Sequence, residues 1–128
     1  MNLTDFILVN THIAKRLWDK MSSYDSKEFQ KFLDEQQYSR NGILRYEKIF
    51  GQDFVSTGGM DTSKEFVKLL NLKTNQKVLD IGCGIGGSAF LMKREYGAHV
   101  RGIDLSNNMI DIANERTTNY NLRFFYIF

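Results

Sequence analysis

The sequence predicts an α/β fold with a parallel, Rossmann-like sheet in its second half and a helical arm in its first, on three observations. The run Lys77-Val78-Leu79-Asp80-Ile81 reads as a buried strand that turns through Gly82, Gly84, Gly86 and Gly87 into a helix. Gly102-Ile103-Asp104 ends a second strand on a carboxylate, about twenty residues beyond the glycines. Before Asn75 the apolar spacing is helical, with no convincing strand.

Taken in order, Phe6-Ile7-Leu8-Val9 is an apolar run with no basic stretch before it, too short to span a bilayer, and a helix around His12 follows. Phe29, Phe32 and Leu33 mark one face of a short helix, and Ile43, Leu44, Ile49 and Phe50 fall within another. The glycines of Gly51-Gln52-Asp53-Phe54-Val55-Ser56-Thr57-Gly58-Gly59 make a loop. Asp61-Thr62-Ser63-Lys64-Glu65 then reads as a capped helix start, running to about Leu72.

From Lys77 the period changes. Val78 to Ile81 is a strand, Gly86 to Tyr96 a helix, and Ala98 to Ile103 a second strand. Ser106 N-caps a helix through about Glu115, and Leu122 to Phe128 begins a third strand. The order β-α-β-α-β argues a parallel sheet with right-handed crossovers. Residues 1–74 are thus expected to form a helical lid or arm, and residues 75–128 the sheet-bearing unit.

Composition narrows the function classes. The 128 residues, 42% hydrophobic and 25% charged, allow one soluble globular domain. A net charge of +2 is too small to argue for a nucleic-acid partner, and no segment predicts membrane insertion. A single cysteine cannot form an internal disulfide, which points to a reducing, cytoplasmic setting.

The glycine turn fits two templates. Gly82, Gly84 and Gly87 match G-x-G-x-x-G, in which a dinucleotide pyrophosphate rests on a helix N-terminus. Asp80, two positions before the first glycine, would oppose that pyrophosphate as like charge against like. It suits a cofactor whose nearby group is a cation, such as the ammonium of a methionine moiety, and so favours S-adenosylmethionine over a nicotinamide. Asp104 can accept the hydroxyls of a ribose. Cys83 reads as a small buried thiol beneath the cofactor rather than a nucleophile, and neither His12 nor His99 has a partner at metal-ligand spacing, so no metal site is expected.

The segment Phe32-Leu33-Asp34-Glu35-Gln36-Gln37-Tyr38-Ser39-Arg40-Asn41-Gly42-Ile43-Leu44-Arg45-Tyr46-Glu47-Lys48-Ile49-Phe50-Gly51, with Ser56-Thr57-Gly58-Gly59, Lys77 to Gly87 and Gly102-Ile103-Asp104-Leu105-Ser106, resembles the phosphoethanolamine N-methyltransferases of nematodes, plants and malaria parasites. The similarity covers roughly residues 28–118. It implies methylation of phosphoethanolamine and its mono- and dimethyl forms to phosphocholine, for phosphatidylcholine synthesis, with S-adenosylmethionine as cofactor. Residue by residue, it implies that Tyr38 closes the site over the substrate with a histidine from the second half of the catalytic domain, and that Tyr46 lines the same site against substrate and cofactor. Gln37 and Ser56 would touch the cofactor, Gly82 with its neighbour Gly84 would approach the methionine end near Asp80, and Asp104 with Leu105 would hold the adenosine. A phenol and an imidazole in contact could relay the proton that the substrate amine must lose before it attacks.

The resemblance also implies a departure. A complete domain of this class has about seven strands, so residues 75–128 read as its first half, truncated after the third strand, and the chain as a fragment inactive alone. Its first strand would then present a bare sheet edge open to self-association. The alternatives are a nicotinamide-dependent oxidoreductase half and a non-catalytic module pairing with a full-length methyltransferase.

Overall fold

The computed structural model describes residues 7–9, 26–117, 120 and 122–126. The helix read around His12 lies outside them. Strand β1 (Ile7–Val9) is followed by α1 (Ser26–Phe32), a π-helical turn (Leu33–Gln37), α2 (Arg40–Phe50) and α3 (Gly59–Leu69). Then come β2 (Lys77–Ile81), α4 (Gly87–Tyr96), β3 (His99–Asp104), α5 (Asn107–Glu115) and β4 (Arg123–Tyr126). All pairings are parallel and the strand order is β1-β2-β3-β4.

The β-α-β-α-β reading of the second half matches β2 to β4 element by element, with described ends displaced by a residue or two; the stretch of the third strand read beyond Tyr126 lies outside the described residues. Val78, Leu79 and Asp80 are all buried, which explains why β2 reads as a continuous apolar run rather than an alternation. On β3, Val100 and Gly102 are buried while His99 and Arg101 are exposed, so the sheet is open on one face there. The main core joins Ala89, Phe90, Leu91 and Met92 of α4 to Val78, Val100, Phe124 and Val67. A second cluster docks the arm, with Ile43 of α2 packed among Ile85, Met109 and Ile112.

The structure corrects two readings of the first half. The Phe6 to Val9 run supplies a strand: Ile7 pairs with Val78, Leu8 with Leu79 and Val9 with Asp80. The edge of β2 expected to be bare is therefore covered, which removes the ground for self-association through it, and the sheet extends across the division at Asn75. Three residues are too few to carry a readable period, but they meet the backbone groups that a buried strand must satisfy. Nor does a capping box at Asp61 start α3. The helix begins at Gly59 behind a left-handed Gly58 with no side-chain cap, and Asp61 sits in its first turn, where a negative charge faces the positive end of the helix dipole.

The cap read at Ser106 is present, and Ser39 supplies another that the sequence reading did not name. Ser39 accepts from Gly42 N at 3.3 Å to start α2, and Ser106 accepts from Met109 N at 3.3 Å to start α5. The far end of α2 is fixed by charge: Arg116, just past α5, donates to Glu47 Oε2 at 3.0 Å and to Asp53 Oδ1 at 2.8 Å, while Asp53 N donates to Glu47 Oε1 at 2.7 Å. That cluster pins the loop after α2 onto the sheet-bearing unit, and Arg116 holds the Glu47 carboxyl below its ordinary range.

Gly102 of β3 stands opposite Phe124 of β4 in the sheet register. A Cβ there would stand 2.3 Å from Phe124 Cδ1 and 2.8 Å from Cys83 Sγ. Gly102→Ala is expected to destabilise the fold by about 1–3 kcal/mol through overpacking. An unchanged midpoint in urea denaturation would show that Phe124 can move aside freely.

Candidate functional site

The C-terminal ends of β2 and β3 open into a cavity of about 500 Å³ roofed by the arm. From the arm come Gln37, Tyr38 and Tyr46; from the loop after α2 comes Ser56; from the sheet come Asp80, Gly82, Gly84, Asp104 and Leu105. Every residue named from the sequence as a cofactor- or substrate-contacting residue lines this one space.

Backbone constraints set the floor. Gly82 N and Cys83 N both donate to Ile103 O, at 2.8 and 3.1 Å, which folds the turn after β2 onto the end of β3. Gly82 and Gly84 hold φ of 76° and 54°, the left-handed region that L side chains rarely adopt. A Cβ built on Gly82 meets nothing within 4 Å, so the space above it is open to a ligand.

Asp104 ties the two turns together. Its Oδ2 accepts from Gly84 N at 2.8 Å and its Oδ1 accepts from Ser106 N at 3.0 Å. A carboxylate has about four acceptor sites, so roughly half its capacity is left for a ribose.

Gly87 answers to packing. A Cβ there would stand 2.4 Å from Asp53 O and 2.7 Å from the Phe54 ring. The loop after α2 thus rests on the start of α4 with a carbonyl oxygen facing it. An anion seated on that helix start would meet this oxygen, which weighs against the dinucleotide template.

Asp80 is buried to 8% exposure, and its Oδ2 has no hydrogen-bond partner among the described residues. Burial, and secondarily the charge on Asp104, push its pKa up to about 6. A buried carboxylate oxygen left without a donor beside an open glycine turn is complementary to a cationic group. The ammonium of S-adenosylmethionine fits that position, with the open floor at Gly82 beside it and the free acceptor capacity of Asp104 beyond. Cys83 differs: burial drives its thiol well above the ordinary range, and Sγ donates to Gly84 O at 3.7 Å. The thiol packs beneath the turn and is no nucleophile.

Tyr38 ends the π-helical turn, with its N donating to Leu33 O at 2.6 Å. Tyr46 lines the cavity yet is 50% exposed, with its ring stacked on Phe50 at 6.3 Å between centroids. Sequence reasoning passed over Ser63 and Ser88, which also line the cavity and meet at 3.3 Å between hydroxyls. They lie on α3 and α4, and no spacing connects them. Met109 and Ile85 form an apolar wall that the sequence reading did not assign to the site.

Comparison with known proteins gives the site a context. A family profile described as a methyltransferase domain matches residues 78–127. Phosphoethanolamine N-methyltransferase 1 of Arabidopsis thaliana is 60% identical over 100 residues, which are 78% of this chain and 20% of that protein. Phosphoethanolamine N-methyltransferase 2 of Haemonchus contortus, solved in complex with S-adenosyl-L-methionine, superposes with a TM-score of 0.73 at 41% identity, covering 77% of this chain and 24% of that one. The same nematode enzyme in complex with phosphomonomethylethanolamine and S-adenosylhomocysteine gives 0.71 at 42% identity, covering 75% and 23%. The chain spans about a fifth of the length of the curated plant relative.

Because its pKa is raised on folding, Asp80 favours the native state only while protonated, and that contribution is lost as pH rises through about 6. Asp80→Asn is therefore expected to raise stability near pH 8 by up to roughly 3 kcal/mol. The gain should shrink toward pH 4, where both side chains are neutral. Urea denaturation across that range checks it, and a gain independent of pH would refute the assignment.

Proposed function

We infer that this chain, which resembles the phosphoethanolamine N-methyltransferases over 78% of its length, binds S-adenosylmethionine and carries part of the site that methylates phosphoethanolamine and its mono- and dimethyl forms to phosphocholine, a precursor of phosphatidylcholine. The observation that carries this reading is the oxygen of Asp80 at the floor of the cavity, which has no hydrogen-bond partner among the described residues.

In this reading Asp80 receives the cofactor's ammonium, and the open backbone at Gly82 and Gly84 lets the methionine end lie close. Asp104 accepts the ribose hydroxyls, Leu105 borders the adenine, and Gln37 and Ser56 close over the cofactor from the arm and the loop. Bound S-adenosylmethionine supplies a methyl group already activated by its sulfonium. The chain's own residues orient the amine and keep water out. Tyr38 relays the amine's proton, its phenol oxygen accepting it as the phenol's own O–H proton passes to the histidine that the resemblance implies from the second half of the domain, and Tyr46 borders the substrate on the exposed side.

Among the described residues lining the cavity there is no histidine to pair with Tyr38 and no lysine or arginine to grip the substrate phosphate; His99 bonds Asn75 Oδ1 at 3.2 Å instead. We therefore read the chain as a fragment inactive by itself. Among the described residues no helix is long and apolar enough to cross a membrane, and we place the reaction in the cytoplasm.

A second reading, a non-catalytic module that pairs with a full-length methyltransferase, draws on Phe66 and Leu69, which stand 65% and 79% exposed on α3.

Calorimetric titration separates these from an oxidoreductase. S-adenosylhomocysteine, which keeps the ammonium, should bind, and NAD should not. Asp80→Asn and Asp104→Asn should each weaken binding about tenfold or more, the scale of a lost charge-assisted contact. Wild-type affinity should also fall as pH drops below about 6 and Asp80 protonates. Equal affinity for NAD would defeat the reading.

With radiolabelled methyl donor and phosphoethanolamine, the chain alone should give no turnover. A rate near that of a full-length relative would overturn the claim of inactivity.

A further inference from the structure

The arm is held over the cavity by a group that takes no part in the site. Asp34 lies within the π-helical turn Leu33–Gln37, whose last residue and its neighbour are Gln37 and Tyr38. Its Oδ2 accepts from Asn107 Nδ2 at 2.9 Å and from Gln30 Nε2 at 2.9 Å. Its Oδ1 accepts from Ser106 Oγ at 3.3 Å and lies 3.5 Å from Asn108 N. The carboxylate thus sits at the start of α5, where unpaired N–H groups and the helix dipole favour negative charge.

Two amides complete the clasp. Asn108 Nδ2 donates to Asp34 O and to Tyr38 O, both at 2.9 Å, and Gln30 Nε2 also donates to Leu105 O at 3.0 Å. Residues 30–38 are in this way bonded to every residue from Leu105 to Asn108, the segment that directly follows Asp104. Asp104 in turn holds Gly84. The arm, the carboxylate at the ribose position and the glycine turn form one connected set of hydrogen bonds.

We propose that Asp34 is a positioning residue that keeps Gln37 and Tyr38 closed over the bound cofactor and so sets how slowly the cofactor leaves. The proposal rests on the cofactor reading above. An α-helix would advance each residue by 100°; the wider π turn instead places Asp34 on α5 and Gln37 on the cavity from a single turn. Ser106 already caps Met109 N, so α5 keeps a cap of its own when Asp34 is removed.

Surface plasmon resonance with S-adenosylhomocysteine on the immobilised full chain tests this. Asp34→Ala should raise the dissociation rate about tenfold, within the range of a typical coupling, while the association rate changes little. Asp34→Glu should recover part of the loss, and Glu35→Ala, exposed on the same turn, should match wild type.

Asn108→Ala serves as a second entry point, and combined with Asp34→Ala it should cost less than the sum of the two single changes. Hydrogen exchange of the ligand-free protein should show residues 28–38 losing protection in Asp34→Ala with β2 and β3 unchanged. Wild-type dissociation kinetics in both single variants, or unchanged exchange in the arm, overturns the proposal. Failure of wild type to bind S-adenosylhomocysteine while the arm still loses protection in Asp34→Ala overturns the cofactor reading and the kinetic role, and leaves a purely structural clasp.

Discussion

The carboxylate of Asp104 is the constraint around which the site is built. It stands at the end of β3 and receives one backbone N–H from each of the two turns that flank the cavity, Gly84 from the first and Ser106 from the second. A charged acceptor bonded to two N–H groups is among the stronger hydrogen-bonding arrangements available to a chain. It converts two glycine- and serine-bearing turns, each free to wander alone, into a fixed floor. The carbonyl of Ile103 acts in the same sense by accepting from Gly82 and Cys83.

Against that floor the second carboxylate, Asp80, is held at a cost. It is buried, has no partner for Oδ2 among the described residues, and faces the charge of Asp104, so its ionised form is disfavoured. A cation entering the cavity relieves both the desolvation and the repulsion. Affinity and instability then have the same origin, which is a common pattern where a site is preformed for a ligand.

The arm is attached by polar rather than apolar means at the points that matter for the cavity. Ile43 packs it against Met109 and Ile112, but its aim is set by Asp34 at the start of α5 and by Arg116 bridging Glu47 and Asp53 beyond its end. Directional bonds fix orientation in a way that the non-directional burial of Ile43 cannot. The loop after α2 is thereby laid over Gly87, whose missing Cβ is what allows Asp53 O and the Phe54 ring to approach.

Much of this was legible in the residues themselves. The strand-glycine-helix pattern around Gly82, the carboxylates Asp80 and Asp104, and the cap at Ser106 are local features, encoded by neighbours in sequence, and they gave the α/β class and the floor of the cavity, whereas Gln37, Tyr38, Tyr46 and Ser56 were named only through the resemblance. The third glycine of the fingerprint was legible only as a glycine; whether Gly87 serves a phosphate or a packed loop depends on Asp53 and Phe54, more than thirty positions away. The strand at Ile7–Val9 was invisible because three residues have no period, and it exists through its pairing with β2. The hydroxyl pair of Ser63 and Ser88 and the clasp of Asp34 on Asn107 and Asn108 join distant segments for which no spacing rule applies. Sequence determined what depends on backbone preference and short-range pattern; the tertiary structure decided which distant polar groups would meet, because only packing of the arm on α5 and of α3 on α4 brings their donors and acceptors within bonding distance.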